Sequence, residues 1–254
     1  MALFASRPRL RLSEYRWGRR ALLIAAALVG SAAVGYAANL ASRNALWQVV
    51  RVCALDKTTT GSPLPCLEVS GAGDDGFVVL RPPIGEPDTI LAPTRRIAGI
   101  EDGFLQSPRA PNYFALAWDA RRWLSPAPSA QRVALAVNSR LARSQDQLHV
   151  HIGCLSADFA ARLGDRALGP TTRTWFRGPD MAPGLELWTY RSGTADWRDD
   201  SPFRLLKPLV GDVAAMRRTT LAAAQIGGEL VLAALRSRPG GWYASAEDVI
   251  DARC

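Results

Sequence analysis

Charge and apolar character are unevenly distributed along the chain. Residues 21–42 (ALLIAAALVGSAAVGYAANLAS) carry no charge over 22 positions, and an Arg-rich segment, RPRLRLSEYRWGRR, abuts them. As a helix rising about 1.5 Å per residue, the run is long enough to cross a hydrocarbon core of roughly 30 Å. It predicts a transmembrane helix. A signal peptide has an apolar region of only about 7–15 residues, so a retained anchor is expected, although Gly35-Tyr36-Ala37 offers a small-x-small cleavage site. The Arg cluster before the run places that end in the cytoplasm and everything after it outside. Three segments result: a basic tail over 1–20, an anchor over 21–42 and an exported domain over 43–254.

Beyond residue 42 the pattern becomes that of a folded domain. Leu46, Val49, Val50 and Cys53 recur at helical spacing with Ser42 as a plausible N-cap, and TTTGSPLP reads as a loop. GFVVLRP (76–82) and DTILAPT (88–94) read as strands joined by a Pro/Gly turn, and PNYFALAWDARRWL (111–124) as a helix with Pro111 near its start. QRVALAVN (131–138) and QLHVHIGCL (147–155) are strands around the loop SRLARSQD. DFAARLGDRAL is a short helix, and 171–198 suggests strand, turn, strand. SPFRLLKPLV opens a helix at Ser201. TTLAAAQI and ELVLAALR form a hairpin about Gly227-Gly228. SAEDVIDAR closes the domain as a helix with a capping-box-like start. Hairpins interrupted by single helices predict an α+β domain with an antiparallel sheet.

Charge adds to the membrane picture more than to the domain. The chain has 31 basic and 23 acidic side chains, a net charge of +8. Six Arg and one Glu in residues 1–20 account for +5 of it. That leaves about +3 for the rest, which argues against nucleic acid as a partner. The four cysteines, Cys53, Cys66, Cys154 and Cys254, include no CxxC pair. An even number in an exported domain favours disulfides. The shortest loop joins Cys53 to Cys66, leaving Cys154 with Cys254; buried free thiols are the alternative. Trp118, Trp123, Trp175, Trp188 and Trp197 read as core and hairpin packing rather than a lipid platform.

The chain contains two histidines, His149 and His151. In a strand, residues two apart share a face, so both imidazoles point one way with Gln147, while Val150 and Ile152 point to the core. Such a pair can bind a metal, serve as nucleophile and partner, or form a wet surface pair. No Asp or Glu neighbour offers an obvious third ligand, so neither a metal nor another cofactor is expected.

SQDQLHVHIGCL resembles the histidine triad signature, His-φ-His-φ-His-φ-φ, with Gln147 in the first position. The resemblance makes His149 the nucleophile and His151 the last histidine of the motif. Upstream, Pro93-Thr94-Arg95-Arg96-Ile97 resembles the family's Pro-basic-basic-His-Ile segment, with Arg96 in the His position. LAVNSRLARSQ aligns Asn138 and Ser144 with nucleotide- and phosphate-contacting positions. The N-terminal apolar run, the short Cys–Cys loop, PTxRI, PNxFxLAWxAR, NSRxxRxQxxxHxHIxC and the distal Cys together resemble the bacterial CDP-diacylglycerol diphosphatase family. That resemblance implies a histidine-triad-like sheet with flanking helices, behind one N-terminal transmembrane helix. It implies a phosphoric anhydride hydrolase of the inner membrane that splits CDP-diacylglycerol in the bilayer to CMP and phosphatidate. His149 and His151 would be catalytic, and Gln147, Ser144, Asn138, Arg96 and Arg143 would hold the substrate. Arg95 and Arg140 adjoin the same site. Other readings of the HxH pair are a hydrolase of soluble nucleotides and a non-catalytic metal- or nucleotide-binding module.

Overall fold

Residues 43–71, 73–81, 89–164, 168–251 and 254 are described by the computed structural model. The expected membrane helix at 21–42 lies outside them; among the described residues no helix is long and apolar enough to cross a membrane. In chain order the main elements are α1 (Ala45–Thr60), β1 (Glu68–Ser70), β2 (Phe77–Leu80), β3 (Thr89–Pro93), α2 (Tyr113–Ala120), β4 (Val133–Val137), β5 (Val150–Leu155), α3 (Ala157–Arg162), β6 (Trp175–Arg177), β7 (Leu185–Arg191), α4 (Pro202–Val210), α5 (Val213–Met216), β8 (Thr219–Ile226), β9 (Glu229–Ser237) and β10 (Ile250–Asp251).

The strands form one antiparallel sheet in the order β1-β2-β3-β5-β4-β8-β9-β7-β6. β5 sits near its middle. β4 lines one edge of β5 over Cys154–His151; β3 and β10 share the other, with β3 opposite Val150–Ile152 and β10 opposite Cys154–Leu155. The class is therefore α+β, an antiparallel sheet with flanking helices.

Pleating sorts the side chains by face. Val133, Leu135, Val137, Val150, Ile152, Leu221 and Leu232 join Phe114 and Trp118 of α2 and Phe203 and Leu206 of α4 in the main core. The opposite face carries two smaller clusters. Leu46, Val50 and Cys53 of α1 pack there on Val78, Leu80, Ile90 and Ala92. Farther along, Phe159 of α3 and Ala244, Ala246, Val249 and Ile250 cover the small residues Ala134, Ala136, Ala222, Ala224 and Ala233. Both cysteine pairs are bridged, Cys53–Cys66 and Cys154–Cys254.

Three local expectations are corrected. First, α1 begins at Ala45 after Asn44 and runs through the three threonines to a left-handed cap at Gly61. The hydroxyls of Thr58, Thr59 and Thr60 bond back to the carbonyls of Leu55 and Asp56, which makes the run compatible with a last helical turn. Second, β1 was not legible: three half-buried residues are too few to show a period. Third, 245–253 is not a helix. The capping box forms between Ser245 and Asp248, but only one 3-10 turn follows before β10. β5 extends past the end of β3 and leaves backbone groups that need partners; Ile250 and Asp251 supply them beside the Cys154–Cys254 bridge.

Candidate active site

His149 stands just before β5 and His151 within it, both on the face opposite the main core. His151 lies across from Ile90 on β3 and Ala136 on β4. The two rings are 4.8 Å apart between centroids and tilted by 54°. Both are mostly buried, His149 at 9% and His151 at 7% exposure. The neighbouring strands present alanines to this face, Ala136 opposite Ala222 and Ala222 opposite Ala233. Small side chains let the 244–250 segment pack directly on the sheet. The fit at Gly153 is tight: an added Cβ would sit 2.3 Å from Cγ2 of Ile250.

Hydrogen bonds set the histidine tautomers. His149 Nδ1 is 2.8 Å from the carbonyl oxygen of Gln147. A carbonyl only accepts, so Nδ1 carries the proton and the lone pair of the neutral ring is on Nε2. Asn138 follows β4, and its Oδ1 accepts from the backbone N–H of Ala246 at 2.7 Å. That orients its amide nitrogen toward His151 Nε2, 3.4 Å away, which then acts as the acceptor.

Gln147 has a different role from the one expected. It is fully buried, and its amide nitrogen donates to two carbonyls, Pro93 O and Arg95 O, each at 2.9 Å. Both N–H groups are thus committed, and the remaining Oε1 can only accept. Gln147 offers no donor to a phosphate oxygen; it ties the approach to β5 to the 93–97 segment, as does Leu148 N–H on Ile97 O at 2.7 Å.

Arg143 also departs from expectation. Its guanidinium is buried and makes a bidentate pair with Glu101, 2.7 and 2.8 Å, and a longer contact of 3.3 Å to Asp146. Burial alone would raise the Glu101 pKa, but Arg143 outweighs it and holds the carboxyl below the ordinary range. The pair clamps the 139–146 loop to 99–101, and Gly99 leaves the room for it: a Cβ there would meet the guanidinium at 2.2 Å. Glu101 was not singled out in the sequence; its one signal was an acid inside the apolar stretch IAGIEDGF. Arg96 bonds Asn44 and lies over the Trp47 ring at 5.4 Å, both of the α1 end. Ser144 is exposed on the 139–146 loop. Arg95 lies over Phe104 and pairs with Asp74, while Arg140 reaches Asp146.

The structure therefore brings His149, His151, Asn138 and Gln147 together, with Arg143 behind them as a clamp. A cleft of about 340 Å³ lined by Phe159, Met181, Leu185, Trp242, Tyr243 and Asp248 is bordered by neither histidine. Among the described residues no group of three or more His, Cys, Asp or Glu could hold a metal ion. What the histidine site can do chemically is nucleophilic attack by one imidazole beside a second that orients.

Sequence comparison adds an independent line. A family model described as CDP-diacylglycerol pyrophosphatase matches residues 41–254. A protein of Yersinia pestis named CDP-diacylglycerol pyrophosphatase is 32% identical over 247 residues, covering 94% of this chain and 95% of that one.

Proposed function

Since the chain belongs to the CDP-diacylglycerol pyrophosphatase family, we propose that it hydrolyses the diphosphate of CDP-diacylglycerol to CMP and phosphatidate through a cytidylyl-histidine on His149. Nε2 of His149 attacks the phosphorus bearing the cytidine. The bond from that phosphorus to the bridging oxygen breaks, and phosphatidate leaves with the electron pair. Water then attacks the same phosphorus, the P–N bond breaks, and CMP departs as the imidazole recovers its lone pair.

The observation that carries this reading is the hydrogen bond from His149 Nδ1–H to the Gln147 carbonyl. It presents Nε2 as the nucleophile, and it stabilises the positive charge that the ring acquires on attack. His151, oriented by Asn138, stands beside the nucleophile and helps to hold the phosphoryl group. The uncharged run 21–42 anchors the enzyme in the inner membrane with this domain outside, so the lipid substrate is sought in two dimensions rather than three.

The test is chemical. Rapid quench at neutral to alkaline pH, with substrate labelled in the cytidine, should trap label on His149 as an acid-labile, base-stable phosphoramidate. CMP formed in a single turnover with no label on the protein would mean direct attack by water.

A further inference from the structure

The outer face of α1 is not the polar surface that a solvated helix presents. Val52 and Leu55, one helical turn apart, are 53% and 63% exposed. The Cys53–Cys66 bridge holds the 61–66 loop against the same helix, and Leu64 of that loop is 65% exposed. Exposed Arg51 and Lys57 flank these apolar side chains. Scattered surface leucines need no explanation; an apolar cluster bordered by cations on one short element does.

We infer that this face of α1 and its bridged loop lies on the surface of an anionic lipid bilayer. Apolar side chains would enter the boundary between headgroups and chains while Arg51 and Lys57 meet lipid phosphates, the division of labour of an interfacial helix. The position of α1 in the chain favours this occupant. Only Arg43 and Asn44 separate it from the uncharged run that ends at Ser42. The opposite end of the argument is the site. The first turn of α1 is bonded to the segments that frame it: Leu46 N–H donates to Gln145 Oε1 at 2.9 Å, two residues before Gln147, and Asn44 accepts from Arg96. A bilayer touching α1 therefore lies beside the histidine site, so a lipid can present its diphosphate without leaving the membrane. This deepens, and rests on, the reading of the substrate as a membrane lipid.

The experiment uses the full chain reconstituted in vesicles of zwitterionic lipid with a fifth of anionic lipid. A polarity-sensitive dye is placed on Leu55→Cys and, for comparison, on Ala195→Cys, an exposed position beside the opposite end of the sheet. Quenchers carried on the lipid chains should quench and blue-shift the dye at 55 and leave the dye at 195 unchanged. Equal response at the two positions, or none at 55, overturns the proposal whatever the enzyme's activity. In parallel, the double variant Val52→Ser/Leu55→Ser should show KM for substrate in vesicles raised about tenfold, with hydrolysis of a short-chain, water-soluble analogue unchanged. Unchanged kinetics on both substrates, or equal losses on both, also count against it. Loss of the phosphoramidate with the dye response intact would instead overturn the catalytic reading alone.

Discussion

His149 and His151 are neighbours with unlike bonds, and their substitutions should differ accordingly. His149→Ala removes the attacking nitrogen and should reduce turnover by orders of magnitude, with no phosphoramidate in the quench. His151→Ala removes an orienting group and should cost about 10²–10³-fold, the scale of a lost transition-state donor, while label still appears on the protein. Gln147→His, which would restore the commoner triad, should not be neutral. A neutral imidazole has one N–H where Gln147 uses two, so one of the Pro93 and Arg95 carbonyls loses its partner, at a cost of about 1–3 kcal/mol in a urea melt. The shared face of the two histidines was readable from their spacing alone. Their tautomers were not, because the deciding carbonyls and amides belong to 93–97 and Ala246, which no local pattern links to β5.

At the scale of elements, alternation was informative where strands were long and paired through a short turn. The β8–β9 hairpin is the clearest instance, with Gly227 and Gly228 both at positive φ, 62° and 84°, as a tight two-residue turn requires. The closing segment defeated the same reasoning, since its helical signals were real but an unpaired stretch of β5 outcompeted them. Charge clamps were likewise invisible in the sequence. Glu186 on β7 receives hydrogen bonds from Arg236 and Arg238 of the β9 end and from Trp188. Burial would raise its pKa, but the two arginines bring it down to about 2. A carboxylate depressed in the fold stabilises fully above its unfolded value and loses that contribution as pH falls through the folded one. The stability of the protein should therefore decline from about pH 4.5 toward 2, and Glu186→Gln should flatten that limb in chemical denaturation series across this window. The Cys53–Cys66 bridge closes a 13-residue separation, worth roughly 3 kcal/mol in the chain-entropy model. Cys53→Ser/Cys66→Ser should lower the melting temperature by several degrees and leave the Cys154–Cys254 peptide pair intact in unreduced mass mapping.

For the whole molecule, the topology is the property most open to a direct check. With six arginines ahead of residue 21, a reporter active only outside the cytoplasm and fused after Cys254 should be active; activity of a cytoplasm-only reporter would reverse the orientation. The site also imposes a timetable. The bond from Ala246 to Asn138 joins residues 108 apart, and the bridge from Cys154 reaches 100 residues along the chain. Contacts of such long range close slowly, because the entropy of the intervening loop is lost before the contact forms. A nascent chain that has completed β5 already holds both histidines but not the amide that orients the second. Catalytic competence is thus a late event in the life of each molecule, and a chain interrupted on its way out of the cell carries the nucleophile without the means to aim its partner.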